Sequence, residues 1–120
     1  MQENGELASL SIMNQNSINN KFFRINYKNR EMTQLLIGRK GGRTTIKIID
    51  QLLSQPNNMN QLSKILKLDY KTVRYHMNLI LKLNLVEGDE DQYGSLFFPS
   101  QKLINNLKEY EQIKEYLNNL

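Results

Sequence analysis

At 120 residues, with no cysteine, a single histidine and a formal net charge of +4, the chain has room for one hydrophobic core and excludes disulfides, thiolate metal ligands and multi-histidine sites. The positive surplus suits a polyanionic partner such as nucleic acid. The apolar run from Leu7 to Met13 is broken by serines and preceded by Glu3 and Glu6; it is neither a signal peptide nor the roughly 20 apolar residues of a membrane span, so a soluble cytoplasmic protein with no membrane partner is expected.

Residues 1–20 are rich in Asn, Gln and Ser and hold few large apolar side chains. They bury too little surface to offset the entropy of ordering and are expected to form a disordered tail. Residues 21–43 read as a basic N-terminal arm: Lys21, Arg24, Lys28, Arg30, Arg39, Lys40 and Arg43 stand against Glu31 alone. Within it, Met32, Leu35 and Leu36 fall at helical spacing over 29–37, and Gly38, Gly41 and Gly42 then break the helix into a basic, flexible loop.

Residues 44–99 carry the elements of one compact domain. Ile46, Ile49, Leu52 and Leu53 share a face of a helix over 44–55, with Thr44 or Thr45 as N-cap and Pro56 as its stop. Asn60 is expected to cap a short second helix whose buried face is Leu62, Ile65 and Leu66. A third helix starts at Asp69, its cap, and runs to about Leu83, where Asn84 can take the left-handed conformation that ends a helix. Strands over 85–87 and 93–98 then form a hairpin around Gly88, Asp89, Glu90, Asp91 and Gln92. Ser100 caps a last helix over 101–120.

Two short helices joined by about three residues, the second the longer, form the helix-turn-helix unit that places one helix in the DNA major groove. On a wheel of 100 degrees per residue with Val73 at zero, Met77, Ile80 and Leu81 fall within about 80 degrees of it and make the core face. Arg74, Asn78, Lys71, Lys82 and Tyr75 fall at about 100 to 200 degrees, so the opposite face is basic, amide-bearing and aromatic. Arg and Lys bond guanine edges, Asn bonds adenine, and Tyr or Thr contacts phosphates or methyl groups. Tyr70, Lys71, Thr72, Arg74, Tyr75 and Asn78 are therefore the candidate DNA contacts. Most lie in the N-terminal turns, where the helix dipole also favours a phosphate.

From Gly38 to Ser100 the sequence resembles the archaeal winged helix-turn-helix regulators of the ArsR-like superfamily. The resemblance rests on the string NQLSKILKLDYKTVRYHMNLI over 60–80, followed by LNLV over 83–86, with TVRYHM over 72–77 its most specific part. It implies a mainly helical winged helix-turn-helix fold with a small β-hairpin wing. It also implies sequence-specific binding of double-stranded DNA by a homodimer, with the helix from Asp69 as reader and the 85–98 hairpin as wing. The fold carries an extra C-terminal helix here.

The sequence departs from that pattern in two respects. Without cysteine, the thiolate metal switch of many members is excluded. The wing carries Glu87, Asp89, Glu90 and Asp91, which phosphate repels, so its tip is expected to stay out of the minor groove and to face solvent or another protein. Two readings of Arg39, Lys40 and Arg43 stay open: backbone contacts made in place of the wing, as basic arms do elsewhere, or a solvated loop.

His76, near 300 degrees on the wheel, borders the core face and reads as a hydrogen-bonded, half-buried imidazole. The cluster Gly38, Arg39, Lys40, Gly41, Gly42 lacks the Gly-Lys-Ser/Thr ending of a nucleotide loop. No enzyme and no cofactor is expected. Over 100–120, the stripe of Leu103, Leu107, Tyr110, Ile113 and Leu117 either packs on its own domain or pairs with the same helix of a second subunit. Pairing is the expectation, because a helix of that length spans about 30 Å and outruns a three-helix core. A transcriptional regulator is the leading reading. A protein-interaction module within a transcription or processing assembly, or an RNA-binding winged helix, is the alternative.

Overall fold

The computed structural model describes residues 30–120; the expected tail over 1–20 and the first part of the basic arm lie outside them. Among the described residues, six helices and one two-stranded hairpin follow in order: α1 (Arg30–Leu36), α2 (Gly42–Ser54), α3 (Met59–Leu66), α4 (Tyr70–Lys82), β1 (Val86–Glu87), β2 (Phe98–Pro99), α5 (Gln101–Asn105) and α6 (Leu107–Asn118). The strands pair antiparallel, Val86 opposite Pro99 and Glu87 opposite Phe98. This is a winged helix-turn-helix, mainly helical, as expected.

One core unites these elements. Ile46, Ile48, Ile49 and Leu52 of α2 meet Leu62 of α3 and Val73, Met77 and Ile80 of α4, all buried. The turn between α3 and α4 is Lys67, Leu68 and Asp69, with Lys67 in the left-handed region at φ 56°. Asp69 caps α4 by accepting from the Lys71 amide at 3.2 Å, which meets one of the free donors that every helix start exposes. At the other end Asn84 takes φ 60°, and the Leu85 amide donates back to Ile80 O at 2.9 Å. Both ends of α4 are therefore fixed where the residue chemistry put them.

Several boundaries differ from expectation. Helix α2 begins at Gly42, behind Gly41 at φ 93°, and neither Thr44 nor Thr45 caps it. A Cβ on Gly42 would lie 1.8 Å from Leu36 O, so only glycine lets the backbones of α1 and α2 approach so closely, and the expected flexible loop is a tight turn. Helix α3 is capped by Asn58 rather than Asn60: Asn58 Oδ1 accepts from the Gln61 amide and Gln61 Oε1 accepts from the Asn58 amide, each at 2.8 Å. This reciprocal box satisfies two donors where Asn60 would satisfy one. Ile65 points outward and is exposed.

The strands are shorter than expected because the wing tip bonds to itself. Asp89 Oδ1 accepts from the Asp91 amide at 3.0 Å, and the Asp89 amide donates to Ser95 Oγ at 3.1 Å. Pro99 is the last residue of β2, opposite Val86, and Phe97 pairs with Asn57 in an isolated antiparallel bridge. The wing is thereby tied to the segment ahead of α3.

The C-terminal stripe corrects the pairing expectation. The helix breaks at Asn106, whose side chain donates to Lys102 O at 2.8 Å and competes with the helical ladder. Beyond the break, α6 packs on α1 and α2. Leu103, Tyr110 and Ile113 are fully buried, Leu117 is buried, and Leu107 packs partly buried against the same core. Tyr110 donates to Asp50 Oδ1 at 2.6 Å, and Lys114 Nζ reaches Asp50 Oδ2 at 3.2 Å. Burial first, and the Asp50 carboxylate second, push the Tyr110 phenol far above its ordinary range. These side chains are spent inside their own domain, so any seat for a second copy has to be built from others.

Candidate nucleic-acid interface

Helix α4 presents a sharply two-sided surface. Val73, Met77 and Ile80 are fully buried against α2 and α3. Lys71, Arg74, Asn78 and Lys82 are exposed, as is Tyr75 at 57%, while Tyr70 and Thr72 are half-buried. The apolar spacing fixes the rotation of the helix, and the rotation leaves the basic and aromatic side chains outward. All six residues expected on the reader face are thus brought together on one helix, and the chain's own residues leave Lys71, Arg74, Tyr75 and Asn78 open.

The three basic residues ahead of this helix separate. Lys40 is exposed, and its side-chain ammonium has no partner among the described residues. Arg39 is half-buried and folded inward: Nη2 donates to Thr45 Oγ1 at 2.8 Å and Nη1 to Lys40 O at 2.8 Å. Its guanidinium carbon stands 5.9 Å from the centre of the Tyr75 ring. Arg43 donates to Leu117 O at 2.9 Å, which satisfies a carbonyl near the end of α6. Arg39 therefore borders the reader face, and Arg43 serves the packing of the C-terminal helix.

His76 is buried, deeper than the half-buried position its place on the wheel implied. Its Nδ1 lies 2.8 Å from Thr45 Oγ1 and 3.4 Å from Arg39 Nη2. The Arg39 guanidinium can only donate, so the Thr45 hydroxyl accepts from it, and the one hydroxyl proton is shared between two acceptors in reach, His76 Nδ1 at 2.8 Å and Gly41 O at 3.3 Å. Burial first, and the Arg39 charge second, hold the imidazole below its ordinary pKa. This Thr45–Arg39–His76 cluster is the feature that residue-by-residue reading missed. Its signal was a threonine one helical turn inside α2, which reads as a cap and acts as a buried hydroxyl.

The wing stands beside the same face. A cleft of about 270 Å³ opens between its tip and the starts of α3 and α4, and Asn60, Tyr70, Arg74, Glu90, Asp91 and Tyr93 line it. Tyr93 is exposed, but its hydroxyl accepts from Asn60 Nδ2 at 3.0 Å. Among the described residues no helix is long and apolar enough to cross a membrane, and no three metal-ligating side chains cluster.

A helix-turn-helix with a solvent-facing basic second helix and an adjoining hairpin defines the winged-helix class. Residues 43–88, from the first turn of α2 to the start of the wing, match the family model described as bacterial regulatory protein, arsR family. That similarity supports an ArsR-like helix-turn-helix regulator, a DNA-binding kind of protein. No curated protein matches the chain.

Proposed function

We propose that the chain is a sequence-specific transcriptional regulator that reads the major groove of double-stranded DNA with α4. The observation that carries the reading is the division of that helix: Val73, Met77 and Ile80 have no exposure, and Lys71, Arg74, Tyr75 and Asn78 face solvent together. Arg74 and Asn78, one helical turn apart, supply a guanidinium and an amide for base edges. Tyr70, Lys71, Thr72 and Tyr75 supply phosphate and methyl contacts around them. Lys40, exposed in the turn before α2, adds a backbone contact that carries no sequence information.

Selection of bound duplexes from a random pool at one fixed salt concentration tests this. A recovered pool with a shared motif is expected, and the spacing of its half-sites reports whether two copies bind together. A pool without any shared motif, or stronger retention of RNA than of duplex DNA in a salt-matched competition, would overturn the reading.

A further inference from the structure

The basic turn ahead of α2 reads in sequence either as an arm reaching for phosphate or as a solvated loop, yet one of its guanidinium groups is occupied within the chain. Arg39 bonds Thr45 Oγ1 and Lys40 O, each at 2.8 Å, and lies 3.4 Å from His76 Nδ1. Its Nε is buried without a partner. An arginine held by its fork and sealed at Nε must break bonds before it can reach out, whereas the Lys40 ammonium beside it has none to break.

What the guanidinium faces is Tyr75, on the outward side of α4. Its carbon is 5.9 Å from the ring centroid, and His76 meets the same ring edge-on, with centroids 5.2 Å apart and planes at 83°. Tyr75 is 57% exposed, and an exposed aromatic side chain otherwise loses rotamer freedom only when it binds. Here two neighbours fix it beforehand. The approach depends on the turn, since a Cβ on Gly41 would fall 3.2 Å from Arg39 Nη1 and 3.3 Å from His76 Cε1.

We infer that Arg39 is a positioning residue that sets the Tyr75 ring on the DNA-facing side of α4, an inference that rests on the DNA-reading function proposed above. The arginine acts through the ring, and its charge is turned away from phosphate. Preorganising the ring leaves less entropy to lose on binding, which raises affinity for the preferred duplex without adding a contact.

Binding of the full chain to its selected duplex is measured over a series of salt concentrations for R39A, R39K, Y75A and the R39A/Y75A double variant. Tyr75→Ala is expected to weaken binding about tenfold, and Arg39→Ala and Arg39→Lys each about threefold with an unchanged salt slope. The double variant should be no weaker than Tyr75→Ala alone, because the arginine's effect passes through the ring. In the unbound protein, the Tyr75 ring resonances should shift in Arg39→Lys. Lysine binding like arginine, a slope reduced by about one in Arg39→Ala, or losses that multiply in the double variant would make Arg39 a phosphate contact and overturn the inference. Unmoved Tyr75 resonances, or Tyr75→Ala binding like wild type, would overturn it while the DNA reading stands. A wild-type chain that selects no duplex would remove the DNA reading first and the inference with it.

Discussion

The outward face of α4 and the apolar stripe of the C-terminal helices carry the two recognition surfaces that the sequence suggests, one for DNA and one for a second copy. They end differently. The α4 surface is polar and stands free because the opposite side of the helix satisfies the core. The C-terminal stripe is apolar, and the core takes it: Leu103, Tyr110 and Ile113 are fully buried. An apolar stripe is first a claim on the nearest unfilled core, and it serves a partner only after that core is complete. A polar, mixed-chemistry face is claimed by nothing inside the chain, so its placement outside is the better guide to function.

The largest effect that would break the contrast is on stability. Tyr110→Ala removes a fully buried ring along with its hydrogen bond to Asp50 and is expected to cost about 3–5 kcal/mol in urea unfolding. Tyr110→Phe keeps the ring and should cost only about 1 kcal/mol, since Lys114 still holds the carboxylate. A stripe that instead seats a second copy would show a loss of dimer mass in light scattering with little change in the unfolding of the monomer.

Next in size is the α4 face itself. Arg74→Ala should lower affinity for the preferred duplex by roughly 1–3 kcal/mol and relax the choice of base at one position, while the unfolding midpoint stays where it was. Lys40→Ala should do less, weakening every duplex several-fold alike and lowering the salt slope by about one. Equal losses on all sequences for both variants would remove α4 from the reading of bases.

The same contrast explains what was legible in the sequence. The rotation of α4 was, because Val73, Met77 and Ile80 repeat at helical spacing within one element and need no knowledge of the rest of the fold. Asp69 and Ser100 were legible as caps for the same local reason, and Asn58 with Gln61 carried an equally local signal three residues apart. The break at Asn106 was not, since it depends on where α1 and α2 leave room for α6. Nor was the inward turn of Arg39, because Thr45 and His76 lie far apart in the chain and meet only once α2 packs on α4. Single side chains with long-range partners are the ones that composition and spacing misplace.

The smallest expected effect tests that hidden cluster. His76 is buried beside the Arg39 charge, with Thr45 its neutral partner from α2 and Tyr75 its neighbour on α4; burial first and Arg39 second hold its pKa below the ordinary value of 6.5. The unfolded chain therefore binds the histidine proton more readily than the folded one, and stability in this window rises with pH. The neutral-ring contribution is complete above about pH 6.5 and is lost as the pH falls from there through the lowered folded value. Carboxylates elsewhere also respond to acid, so the quantity to measure is the difference between wild type and His76→Gln in urea unfolding from neutral to mildly acidic pH. That difference should shrink as the pH falls, because glutamine can accept from Thr45 without ever carrying a charge toward Arg39. A difference that stays constant across the window would mean the imidazole titrates as it does in water, and that the Thr45–Arg39–His76 packing is looser than its distances indicate.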